Sequence, residues 1–163
     1  MAFQLVGLPF EPFAKYFSLS SAALRDLGMR RVVATEQPGY PCRVSLRDAA
    51  VGEELLLLPY LHQAENSPYR ASGPIFVRER AEQCVLAPDV VPDYVKLRLI
   101  SVRAYDASHS MVDAGVCAGT EVAPLLDDLF RRGEVAYIHL HNAKRGCFSC
   151  LAIRGANRHR EPV

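Results

Sequence analysis

Lysine is scarce in this sequence: three of its 19 basic side chains, the other 16 being arginine, and 18 acidic residues leave a net charge of +1. A dedicated nucleic-acid binder carries a strong basic excess, so nucleic acid is not expected as a partner. No apolar run approaches the ~20 residues of a membrane span, so no membrane partner is expected either. A basic n-region is missing from Met1 to Gly7, and Pro9 and Glu11 soon interrupt the apolar stretch. That start does not read as a secretory signal, and a cytoplasmic, reducing setting is expected. There the five cysteines, an odd number, need form no disulfide framework. Internal repeats and low-complexity segments are lacking. So is a glycine-rich phosphate loop, which disfavours a nucleotide-driven enzyme. No cofactor is implied.

What is present is a chain of 163 residues, half of them apolar. A chain of this size hides roughly 70% of its unfolded surface without a metal or disulfide staple. The expectation is a single α+β domain over residues 1–154: a mostly antiparallel, bent sheet with two short covering helices. Residues 155–163 are polar and aperiodic and read as a flexible tail.

Ser20 to Gly28 has a serine cap, a small apolar face and a glycine stop, which predicts a short helix. Arg30 to Thr35 reads as a strand, and Pro38-Gly39 as the centre of a type II turn. Cys42 to Arg47 alternates apolar and polar residues, as a half-buried strand does. Leu55 to Leu58 reads as a central strand, His62 to Pro74 as a long loop, and Ile75 to Arg78 as another strand. Pro88 to Leu97 is ambiguous between a helical turn and a strand. Leu99 to Tyr105 and Met111 to Ala114 form a hairpin about Asp106–Ser110, in which Arg103 would face Asp113. Val122, Leu125, Leu126, Leu129 and Phe130 are spaced as one helical face, with Pro124 in the first turn.

The segment Glu134 to Ile153 is the most informative. Two strand-like flanks enclose Asn142-Ala143-Lys144-Arg145-Gly146, which suits a hairpin. Pairing His141 with Cys147 puts Ala136, Ile138, Leu140, Phe148, Cys150 and Ala152 on one apolar face. Tyr137, His139, His141, Cys147 and Ser149 then share the other. Two imidazoles facing a thiol suit general acid/base or nucleophilic chemistry, so His139, His141 and Cys147 are the candidate catalytic residues. The plain alternative is that they are packing residues. Cys147-x-x-Cys150 is a weak metal or redox signal, because residues i and i+3 of a strand point to opposite faces. No metal centre is assigned, although His139, His141 and Cys147, with His62 more distant, are the ligand set a metal would use.

Arginine presents a planar fork suited to carboxylate or phosphate. Arg43, Arg70 and Arg78, together with Tyr137, are the candidate ligand-binding residues. Others among the arginines have nearby carboxylates as partners.

The stretches Pro38 to Leu46, Ser67 to Arg78, and Val135 to Ala143 with Gly146-Cys147-Phe148 resemble a bacterial family of small proteins. It is catalogued as a domain of unknown function, number 1203. The resemblance runs from about Pro9 to Arg154 and implies a compact bacterial protein, but no activity, cofactor or catalytic residue. Three readings follow. In the first, the protein binds or converts a small anionic molecule in a pocket lined by histidine, cysteine and arginine. In the second it is a non-catalytic interaction module or homodimer, which an unpaired edge at Leu55–Leu58 or Ile75–Val77 would favour. In the third it binds a metal. The oligomeric expectation is monomer or homodimer.

Overall fold

A computed structural model of the chain describes residues 2–155. Its strands form two five-stranded sheets, where a single bent sheet was expected. The first sheet contains β1 (Phe3–Val6), β7 (Leu99–Tyr105), β8 (Met111–Ala118), β9 (Tyr137–Asn142) and β10 (Phe148–Arg154), in the order β1-β10-β9-β7-β8. The second contains β2 (Arg30–Val33), β3 (Pro41–Cys42), β4 (Arg47–Asp48), β5 (Glu54–Gln63) and β6 (Ala71–Arg78), in the order β2-β5-β6-β3-β4. Every pair is antiparallel except β3 with β6. The α+β class stands. Local alternation identifies strands but not their partners, and here β1 joins the last strand of the described chain. The segments Leu55–Leu58 and Ile75–Val77 lie on interior strands, each flanked on both sides.

Four short helices are present among the described residues, two more than expected. α1 (Glu11–Ala14) begins with Pro12 in its first turn, where a missing N–H costs nothing, and continues as a 3-10 turn. α2 (Ser21–Asp26) is capped by the Ser20 hydroxyl, which accepts from the Ala23 N–H at 3.1 Å. α3 (Asp93–Lys96) resolves the ambiguous stretch as a helical turn. α4 (Val122–Arg131) buries Val122, Leu126, Leu129 and Phe130 and holds Pro124 in its first turn, as its spacing predicts. One core packs α3 and α4 against the first sheet, through Ile100, Val102, Leu140 and Cys150. A second gathers Phe13 and Leu24 against Leu56, Leu58, Ile75 and Val77 of the second sheet, and it also takes in Phe148.

Several local expectations give way, and each change moves a functional candidate. Cys42 to Arg47 is not a strand: Arg43–Leu46 turn between β3 and β4, Leu46 has φ of 49°, and every residue from Cys42 to Leu46 is buried. Alternation presumes a wet face, and this segment has none. The Pro38-Gly39 reversal uses a cis Gln37–Pro38 bond rather than a positive φ at Gly39. The loop expected over His62 to Pro74 is shorter, since His62 and Gln63 close β5 and Ala71 already opens β6. Pro59 sits inside β5 opposite Pro74, and the strand expected over Leu55–Leu58 extends through it. The anticipated tail lies outside the described residues beyond Gly155, whose N–H bonds the Ala2 carbonyl at 2.8 Å.

The β7–β8 hairpin pairs Tyr105 with Met111 as expected, but the register then shifts: Ala104 faces Asp113 and Arg103 faces Ala114. One extra residue on β8 sends Arg103 and Asp113 to opposite faces of the sheet. Asp113 pairs instead with Arg132. Arg103 is directed to the face that carries the histidines.

Candidate functional site

That face is built by strand pairing. The period of two places Tyr137, His139 and His141 on one side of β9. Across from them on β7 stand Tyr105, Arg103 and Ser101, in that order. From the second sheet, β5 contributes His62 and Gln63. Four of the chain's five histidines gather in this region, His62, His109, His139 and His141. The His62 ring lies 4.8 Å from that of His141 and 6.2 Å from that of His139, with His139 and His141 6.2 Å apart. Phe148 stacks on His62 at 5.9 Å and meets His139 and His141 edge-on. At the outer end, the Gln63 amide donates to the Tyr137 hydroxyl at 2.9 Å, and His109 Nδ1 lies 2.9 Å from the same oxygen.

The position of Phe148 departs from the expected hairpin. The turn closes through Asn142 N–H to the Cys147 carbonyl and Gly146 N–H to the Asn142 carbonyl, with Gly146 at φ of 73°. Phe148 then pairs with His141 and Cys150 with Leu140, leaving Ser149 as the extra residue of a β-bulge. A bulge reverses the alternation, so Phe148 joins the histidines while Cys150 stays in the first core. Cys147 does not face His141.

Burial sets the charge state of these rings. It lowers His139 to about 4, with smaller contributions from His62 and Arg103. Burial likewise brings His141 down to about 3, against a hydrogen bond to the Gly146 carbonyl that favours the charged form. His62 is lowered by burial and by Arg103. At neutral pH the rings of His139 and His141 are therefore neutral. The His141 Nδ1–H donates to the Gly146 oxygen at 3.0 Å, which leaves a lone pair on Nε2. That Nε2, His139 Nδ1 and His62 Nδ1 are buried and have no hydrogen-bond partner. Arg103 has no acidic partner among the described residues; its one hydrogen bond goes to Ser101 Oγ at 3.4 Å.

Cys147 and Arg43 meet elsewhere. Arg43 is 1% exposed, and its side-chain partners are two backbone carbonyls and one cysteine sulfur. Its Nε donates to the Phe148 carbonyl at 2.7 Å, Nη1 to the Pro41 carbonyl, and Nη2 to Cys147 Sγ at 3.1 Å. The Asn142 amide lies 3.7 Å from the same sulfur. These residues border a cavity of about 730 Å3, whose basic lining residues are Arg30, Arg43, Arg98, Lys144 and Arg145, against one acid, Glu36. Arg98 is neutralised by a two-pronged contact with Asp48.

The expected single pocket is therefore divided. His139, His141 and Tyr137 come together on the imidazole face, and Arg43 and Cys147 at the cavity. Arg70 binds the Ala64 carbonyl within its own loop, and Arg78 pairs with Glu53. Sequence reasoning missed Arg103 and His109 as members of the imidazole group, and named His62 only as a distant candidate ligand beside His139 and His141. Strand parity with Tyr105 already carried the signal for Arg103. For His62 the signal was the aromatic and apolar run continuing past Pro59. Among the described residues no group of three or more His, Cys, Asp or Glu is arranged to hold a metal ion.

The model of the family described as "Protein of unknown function (DUF1203)" matches residues 39–154. No curated protein matches the chain, and no solved structure does. The matched span holds β3 to β10 and every candidate side chain named above.

Proposed function

The chain belongs to the family of unknown function DUF1203, and from that premise we propose that it binds a small anion, a carboxylate or phosphate, at the imidazole face. One observation carries this reading: Arg103, without an acidic partner among the described residues, shares a face with three imidazoles that each keep an unpartnered nitrogen. Arginine supplies the charge and a forked donor. Neutral imidazoles supply hydrogen bonds without competing for the anion's charge. Where the ligand bears an acidic proton, His141 Nε2 is the atom that accepts a hydrogen bond from it, because Nδ1 is already committed to Gly146.

The test is a titration with inorganic phosphate and with acetate, followed through the histidine ring signals by NMR. Wild type should show saturable shifts of His62, His139 and His141. Arg103→Gln should lose them, by about tenfold or more in affinity, the value of one charge-assisted contact. The double variant His139→Ala/His141→Ala should likewise lose binding while its circular dichroism stays native. Unshifted rings in wild type, or undiminished binding in Arg103→Gln, would sink the reading.

A further inference from the structure

We propose that the cavity beside Arg43 is a second, separate site, taking a small organic anion with an apolar body and presenting the Cys147 sulfur to it. A buried guanidinium is costly unless an anion balances it, and Arg43 has two carbonyls and one sulfur where a carboxylate would be expected. No carboxylate among the described residues offsets its positive field, which acts on the adjoining cavity, where the low dielectric strengthens it.

The rest of the lining adds to that field. Lys144 and Arg145, on the β9–β10 turn, form no ion pair among the described residues and border the same cavity. Glu36 is its one acid. Asn142 lines the cavity and is 8% exposed, and its Oδ1 has no hydrogen-bond partner. That leaves a buried acceptor for a ligand hydroxyl or acid proton. The apolar part of the lining includes the tilted pair of Tyr40 and Phe76, with ring centroids 5.3 Å apart, and Leu57. Cationic and aromatic walls in one concavity select an amphipathic anion over either a bare ion or a neutral apolar molecule.

The sulfur gives a direct readout. Iodoacetate and iodoacetamide alkylate a thiol in the same way: sulfur forms the new bond to carbon, iodide leaves with the electron pair, and the thiol proton passes to buffer. They differ in one charge. Rates at Cys147, followed by peptide mass and divided by those of free glutathione, should favour iodoacetate by about tenfold, as one favourable charge contact would give. The preference should fall in high salt and in Lys144→Gln/Arg145→Gln, which changes exposed loop residues only. Hexanoate should protect Cys147 better than acetate. Cys84, Cys117 and Cys150 serve as internal controls, since burial pushes all three thiols up, Cys150 to about 12. A normalised ratio of one, a Cys147 inert to both reagents, or a preference left undiminished by Lys144→Gln/Arg145→Gln would overturn the proposal. Arg103→Gln should leave the ratio unchanged, so this result and that of the imidazole face fail independently.

Discussion

The two candidate regions lie on one hairpin and solve opposite electrostatic problems. Around His139 and His141 of β9, His62 from β5 and Arg103 from β7 crowd in, and burial lowers the proton affinity of all three rings. At the β9–β10 turn, a guanidinium that cannot lose its proton is buried without a carboxylate. A titratable base can adapt to a poor environment by changing its protonation. An arginine can only recruit acceptors, and Arg43 has taken two carbonyls and a cysteine sulfur. The imidazole face should therefore respond to pH, and the Arg43 region to substitution.

Acid should produce the largest difference. The folded-state values of about 4 for His139 and about 3 for His141 lie below the ordinary 6.5. Between 6.5 and those values the unfolded chain binds more protons, so stability falls as pH drops through that window. Each tenfold weakening of proton affinity on folding corresponds to ~1.4 kcal/mol, so the loss in wild type should reach several times that figure. Urea unfolding at stepped pH should show this slope, and His139→Gln/His141→Gln should flatten it. Equal slopes in the two proteins would place the acid sensitivity elsewhere.

Arg43→Met should come next. It removes the buried charge but strands the Pro41 and Phe148 carbonyls, at about 1–3 kcal/mol for each buried acceptor left without a donor. A destabilisation of about 2–5 kcal/mol in urea, little changed between pH 5 and 8, is the expected result. The smallest effect belongs to Arg103→Met. With no carboxylate partner to lose among the described residues and one long hydrogen bond to Ser101, stability should move by no more than about 0.5 kcal/mol. A loss as large as that of Arg43→Met would mean that Arg103 holds the fold together and is not free for a ligand.

Much of this architecture was readable locally. Strand parity alone put His139 and His141 on one face, and the apolar spacing of Val122 to Phe130 placed α4 with its proline in the first turn. Three things were not readable. His62 reaches the site because β5 runs through Pro59, which is tolerated where Pro74 lies opposite. Arg103 is left without Asp113 because a bulge in β8 turns that carboxylate to the other face of the sheet. Arg43 is buried because segments far apart in sequence close over it. Propensity and alternation describe neighbours along the chain, and each of these facts depends on pairing across it.

The turn at Arg43–Leu46 has a consequence for how the chain is closed. Its backbone accepts from Leu8 at the Arg43 carbonyl and from Cys84 at the Val44 carbonyl, and Arg43 N–H donates to Phe76. Gly7 lies so close that a Cβ there would sit 2.1 Å from the Val44 oxygen. The Arg43 side chain, meanwhile, reaches Phe148 and Cys147 at the far end of the described chain. A junction that joins such distant segments carries a large loop-closure entropy, which only the contacts made once it is closed can repay. The turn is thus a keystone that ties both ends of the described chain together, and the cavity beside it depends on all of those ties at once.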